Sequence, residues 1–149
     1  MQGRETFSCE IREGRLIEAR VHALKRPEEA RAYSAALGQV VQDHIARGGG
    51  GPVLCADHRP VVIYAPAVAD ELARLFGQMN AHLQRVAIIA AKSNATLVMQ
   101  LGRIIREAGN PKRQLFYDAT DVAEFLTGDL NSAERARAQA FLAELPSGP

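Results

Sequence analysis

The chain has 149 residues, with 18 Lys and Arg against 17 Asp and Glu. That length suits one domain, residues 1–149, able to bury roughly two thirds of the surface of its unfolded chain without a disulfide or metal. A net charge of +1 sets up no field that would attract nucleic acid or an anionic membrane, and no stretch reaches the ~18 uncharged apolar residues of a membrane span. The first five residues, Met1 to Glu5, carry no apolar secretion run, so a cytoplasmic location is the expectation.

In chain order, Phe7, Cys9 and Ile11 alternate with Ser8, Glu10 and Arg12, the period of a half-buried strand. Glu13-Gly14 turns the chain, and Ile17, Ala19 and Val21 then oppose Glu18, Arg20 and His22, so an antiparallel hairpin opens the fold. Pro27-Glu28-Glu29 starts a helix that runs to about Arg47, with Ala30, Tyr33, Leu37, Val40, Val41 and Ile45 on its buried face. Four glycines, Gly48 to Gly51, end it.

Val53 to Ala56 is apolar without alternation, as in a strand covered on both faces. Asp57-His58-Arg59-Pro60 breaks that run, and Val61 to Tyr64 reads either as a connection or as a short extra strand. Pro66 begins a second helix whose inner face carries Val68, Leu72, Leu75, Phe76, Met79 and Leu83. Val86 to Ala91 is a second interior strand, and Ser93 or Asn94 is placed to cap a third helix. Gln114 to Tyr117 reads as the last strand. Asp118 or Thr120 caps a short helix, and Ser132 opens a terminal helix ending near Leu145, followed by a disordered tail from Pro146.

Strands separated by helices of this length are joined by crossovers. The expectation is an α/β domain with a mixed, mostly parallel sheet of about five strands, an N-terminal antiparallel hairpin and four to five helices. This order, with Val53-Leu54-Cys55-Ala56-Asp57 leading through a connection to a helix at Pro66, resembles the STAS family of bacterial anti-sigma-factor antagonists, over roughly residues 6–127. Relatives of that family resemble CRAL-TRIO lipid-binding domains. The resemblance implies a signalling domain that docks on a protein or holds a small apolar ligand, and no enzyme. In the family a serine at the start of the helix after the central strand is phosphorylated to switch partner binding. Here that stretch is Tyr64-Ala65-Pro66-Ala67-Val68, so the serine is missing.

Two sets of candidate residues follow. Asp57, His58 and Arg59 lie at the C-terminal end of a predicted strand, where open α/β sheets bind ligands, and Ser93 opens a helix beside them; the plainer reading of the first three is a solvated turn. A receiver-type phosphoacceptor role for Asp57 would need further carboxylates to hold Mg²⁺, and Ile11-Arg12-Glu13 supplies no acidic pair. The second set is Tyr64, Phe76 and Met79 with Arg103, Arg106 and Arg113, as anchors for a protein partner or a second copy of the chain. Basic residues at the end of the third helix also suit its dipole without any partner. Cys9 and Cys55 read as buried reduced thiols, the four histidines are scattered, and no metal or cofactor motif stands out. An interaction module is the leading reading, ahead of a small-molecule or lipid-binding domain with its pocket at the strand C-terminal ends.

Overall fold

The computed structural model describes residues 6–109 and 112–145. Among them the elements run β1 Phe7–Glu13, β2 Leu16–Val21, α1 Pro27–Ala46, β3 Val53–Asp57, α2 Pro66–Met79, β4 Arg85–Ile89, α3 Ala95–Ala108, β5 Arg113–Phe116, α4 Ala119–Leu126 and α5 Ser132–Ala143, with a 3₁₀ turn at Thr127–Asp129. The fold class is the expected one: a mixed five-stranded sheet in which β1 and β2 are antiparallel and every later pair is parallel. Val61–Tyr64 is a connection. No helix among the described residues is long and apolar enough to cross a membrane. Met1 to Glu5 and the tail from Pro146 lie outside the described residues.

Spatial order follows chain order, β1-β2-β3-β4-β5. Each of α1, α2 and α3 returns the chain to the next parallel strand on the same side, so all three pack on one face. That face is dry: Ile17, Ala19, Leu54, Ala56, Val86 and Ile88 meet Leu37, Leu72, Leu75 and Leu101. The pleat turns Leu16, Val53, Cys55, Ala87, Ile89 and Phe116 to the opposite face, covered by Val122, Leu126, Ala138, Phe141 and Leu142 of α4 and α5. Alternating residues on β3 and β4 therefore face different cores, and β2 departs from expectation. All six of its residues are buried, Glu18 and Arg20 included, because α5 closes over the side expected to face water.

Local chemistry sets the element ends. Glu29 accepts hydrogen bonds from the Lys25 and Arg26 amides, at 2.8 and 3.1 Å, and so closes the start of α1. Asp118 caps α4 through the Thr120 amide at 2.7 Å. α5 starts at Ser132 as expected and is capped by Asn131 in a reciprocal box with Glu134. α3 is not capped by a side chain: Ser93 is exposed on the preceding turn, and Asn94 instead donates to the Val61 carbonyl at 2.8 Å.

Glu134 does a second job. Its carboxylate accepts from the Arg15 amide at 2.8 Å, which pins the β1–β2 turn to the first turn of α5. Gly14 makes that approach possible, since its φ of +57° disfavours any side chain and a Cβ there would collide with the Glu134 carboxylate. Gly14→Ala is therefore expected to lower the unfolding free energy by about 2 kcal/mol. Gly128→Ala, with open space at its Cβ, should cost under about 1 kcal/mol. Equal costs in urea denaturation would refute the account of this turn.

Candidate functional site

Asp57 ends β3 on the face covered by α5, level with Arg20 of β2. It is fully buried, and both of its oxygens are taken. Arg20 Nε donates to Oδ2 at 2.9 Å, Arg59 Nε to Oδ1 at 2.9 Å, Arg59 NH2 to Oδ2 at 2.9 Å and the Arg59 amide to Oδ1 at 2.9 Å. Burial alone would push the Asp57 carboxyl up, but these charged donors outweigh it, and the carboxyl lies below its ordinary value.

The same guanidiniums finish α5. Arg20 NH2 donates to the Phe141 carbonyl at 2.7 Å, and Arg59 NH2 donates to the Leu142 carbonyl at 2.8 Å. The Phe141 carbonyl also accepts from the Glu144 amide at 3.2 Å, and the last carbonyls of a helix carry the negative end of its dipole, so the two cations suit that end. Arg20 also lies over the Phe141 ring, 4.2 Å from its centroid, and reaches Glu144 at 2.9 Å. Two residues earlier on β2, Arg137 of α5 grips the buried Glu18 carboxylate with two donors, at 2.7 and 3.1 Å. Asp57 and Arg59 thus meet as an internal clamp between sheet and helix, and the buried Asp57 is no part of a solvated turn.

His58 points elsewhere. It is fully buried, with Nδ1 2.7 Å from the Tyr64 hydroxyl and Nε2 without a hydrogen-bond partner. Burial lowers its pKa to about 4, against the opposing pull of the Asp57 charge. Tyr64 is itself 1% exposed, and burial raises its phenol well above the ordinary value. Its backbone is held by α3: the Tyr64 amide donates to Gln100 Oε1 at 3.0 Å, and Gln100 Nε2 donates to the Tyr64 carbonyl at 2.7 Å.

The anchor set is divided in the same way. Tyr64, Phe76 and Arg113 are interior, which removes them from any contact surface; Tyr64 and Phe76 follow their apolar neighbours inward, and Arg113 lies over the Phe76 ring. Met79 is half-buried. Arg103 and Arg106 are exposed on α3, Arg103 beside Glu107 at 3.5 Å. What the sequence reading missed is the apolar surface next to them. Val62, Ile63 and Met99 are 66%, 56% and 74% exposed. Their signal was present: Met99 falls outside the Leu97, Leu101, Ile104 stripe of α3, and Val62-Ile63 form an apolar pair in a segment that pairs with no strand.

A groove of ≈ 290 Å³ near the strand C-terminal ends is lined by Arg59, Thr120, Gln139 and Leu142. Among the described residues no three His, Cys, Asp or Glu side chains come together as a metal site. Burial pushes the Cys9 and Cys55 thiols up to about 12, which keeps both protonated at neutral pH; Cys9 is only half-buried. Neither a protein-family model nor a curated protein matches the chain.

Two outcomes follow from this geometry. Because the folded His58 binds its proton at about 4 and the unfolded one near 6.5, the unfolded state holds more protons between those values, so stability rises with pH across that window. Urea unfolding should lose up to about 3 kcal/mol from pH 6.5 to 4. His58→Gln should flatten that slope, and an unchanged slope would assign it to other groups. Asp57 acts lower, its contribution lost only as pH falls below the ordinary carboxyl value. Asp57→Asn, which strands two buried guanidiniums, should cost about 3–5 kcal/mol, whereas Glu144→Gln at the solvent edge should cost about 1 kcal/mol or less.

Proposed function

We propose that this chain is a non-catalytic, cytoplasmic interaction module of the STAS-like kind, which docks a protein partner through the β3–α2 connection and the outer face of α3. The observation that carries the reading is the exposure of three large aliphatic side chains, Val62, Ile63 and Met99, on backbone that is held in place. Asn94 binds the Val61 carbonyl and Gln100 binds Tyr64 on both its amide and its carbonyl, so the segment is tied to α3 on each side of Val62-Ile63. A pre-ordered apolar surface loses little conformational freedom on binding, which favours association.

The surroundings favour a partner that is acidic around an apolar centre. Arg103 and Arg106 stand exposed on α3, and Lys92 is exposed on the turn before it. Such cations raise the encounter rate with a negative surface and choose between partners, while the aliphatic side chains supply contact. The non-catalytic part of the reading is supported by the occupation of Asp57, whose oxygens are committed to Arg20 and Arg59, and by the enclosure of His58.

The test compares wild type with the double variant Ile63→Glu, Met99→Glu and with Arg103→Glu, Arg106→Glu, each as bait in cross-linking within the native host. The expected outcome is one or more partners lost from the first variant and reduced about tenfold in the second, with unfolding temperatures unchanged, because all four positions are exposed. A partner set identical across the three baits would sink this surface. If the partner is a second copy, the same variants turn a dimer into a monomer in sedimentation.

A further inference from the structure

Arg113 is the first residue of β5 and is placed beside Val86 of β4. Its side chain enters the dry α1–α3 face, where the residue is 4% exposed. The guanidinium carbon stands 4.6 Å from the centre of the Phe76 ring, and NH1 donates to Asn80 Oδ1 at 2.8 Å. Nε has no acceptor, and among the described residues no carboxylate lies within ion-pair distance. A neutral amide and a ring face compensate a buried cation only in part. Burial accordingly lowers Arg113 to about 10.

Next to this guanidinium lies a small cavity of ≈ 10 Å³, room for about one water, walled by Tyr33, Leu54, Phe76, Val86 and Ile88. Met79 forms another part of its wall and also borders a separate surface groove of ≈ 340 Å³ between α1 and the end of α2, lined by Gly38, Val41, Ile45 and His82. The Met79 methyl would be 3.7 Å from a Cβ on Gly38, so the missing side chain leaves it room. Methionine is unbranched, with three rotatable bonds, and can swing without moving the backbone. Met79 is the side chain common to both linings, and it separates the groove from the cavity that holds the Arg113 cation.

We propose that groove and cavity together are a binding site for a monocarboxylate with an unbranched alkyl chain. The carboxylate meets Arg113, the chain lies along the groove and Met79 is the gate between them. A planar guanidinium with a free Nε matches a carboxylate in shape and charge. Apolar walls and a single cation disfavour a multiply charged ligand such as inorganic phosphate. The site stands apart from the α3 surface and does not depend on it.

The experiment titrates the full chain with decanoate, decanol and inorganic phosphate, followed by calorimetry and by ¹³C-edited NMR of labelled decanoate. Decanoate is expected to bind saturably, about tenfold more tightly than decanol, with phosphate inert and with contacts from the alkyl chain to the Met79 methyl. Arg113→Gln should erase the preference over decanol. Met79→Ala, which opens the gate and leaves the cation in place, should keep the preference and quicken association, and it serves should the Arg113 variant fail to fold. Ile63→Glu, Met99→Glu should leave decanoate binding untouched. Equal affinity for decanoate and decanol in wild type, no saturable binding, or contacts to Met99 in place of Met79 would each overturn the proposal.

Discussion

The architecture depends on a set of buried ion pairs between the sheet and α5. Glu18, Arg20 and Asp57 all project from the face opposite α1–α3, and each is less than 10% exposed. Removing such charges from water costs several kcal/mol apiece, which only close, multiply bonded partners can offset. Those partners come from distant sequence: Arg137 for Glu18, the last carbonyls of α5 for Arg20 and Arg59, and Glu144 at the rim. Without α5 the second face of β2 would lie open to solvent and the fold would end as a half-covered sheet. With α5 in place, the apolar contacts of Phe141 and Leu142 and the ionic ones of Arg20 and Arg59 close the same seam.

That seam also constrains where function can sit. Open α/β sheets bind ligands where the strand order reverses and two adjacent connections part to opposite faces. Here the order never reverses, and α1, α2 and α3 stay on one side. The C-terminal ends of the strands consequently have no switch-point crevice, only the groove beside Arg59, and Arg20, Asp57 and Arg59 there turn to each other. Uncommitted side chains are found elsewhere: on the aliphatic surface of the β3–α2 connection and α3, and in the groove between α1 and α2.

Much of the fold was legible because it rests on local periodicity. Val53 to Ala56 and Val86 to Ala91 read as covered strands for want of any polar alternate, and the three-and-four spacing in α1, α2 and α3 marked their inner faces. Alternation, however, tells which residues share a face and not whether that face is later covered. Glu18 and Arg20 looked like the wet side of a hairpin because nothing within twenty residues announces α5. The burial of Asp57 was hidden for a related reason: Asp57-His58-Arg59 has the composition of a turn, and only the register with Arg20 turns its charges into an internal clamp. Arg113 was grouped with Arg103 and Arg106 by nearness in sequence, but β5 carries it inward while α3 keeps the other two at the surface.

The two faces of the sheet also differ in how they treat buried polar atoms. On the α5 side, every oxygen of Asp57 and Glu18 is met by a guanidinium within about a normal hydrogen-bond length. On the α1–α3 side, by contrast, His58 Nε2 and Arg113 Nε are enclosed without a hydrogen-bond partner, in a face otherwise built mostly of aliphatic residues. An unmet buried donor costs about 1–3 kcal/mol, more when charged, so a structure that keeps one usually has water or a ligand to meet it. For Arg113 the adjoining cavity holds at most about one water, and the apolar groove beyond Met79 is large enough for an alkyl chain. A ligand that met Arg113 Nε would therefore change the energy of the fold on the α1–α3 face.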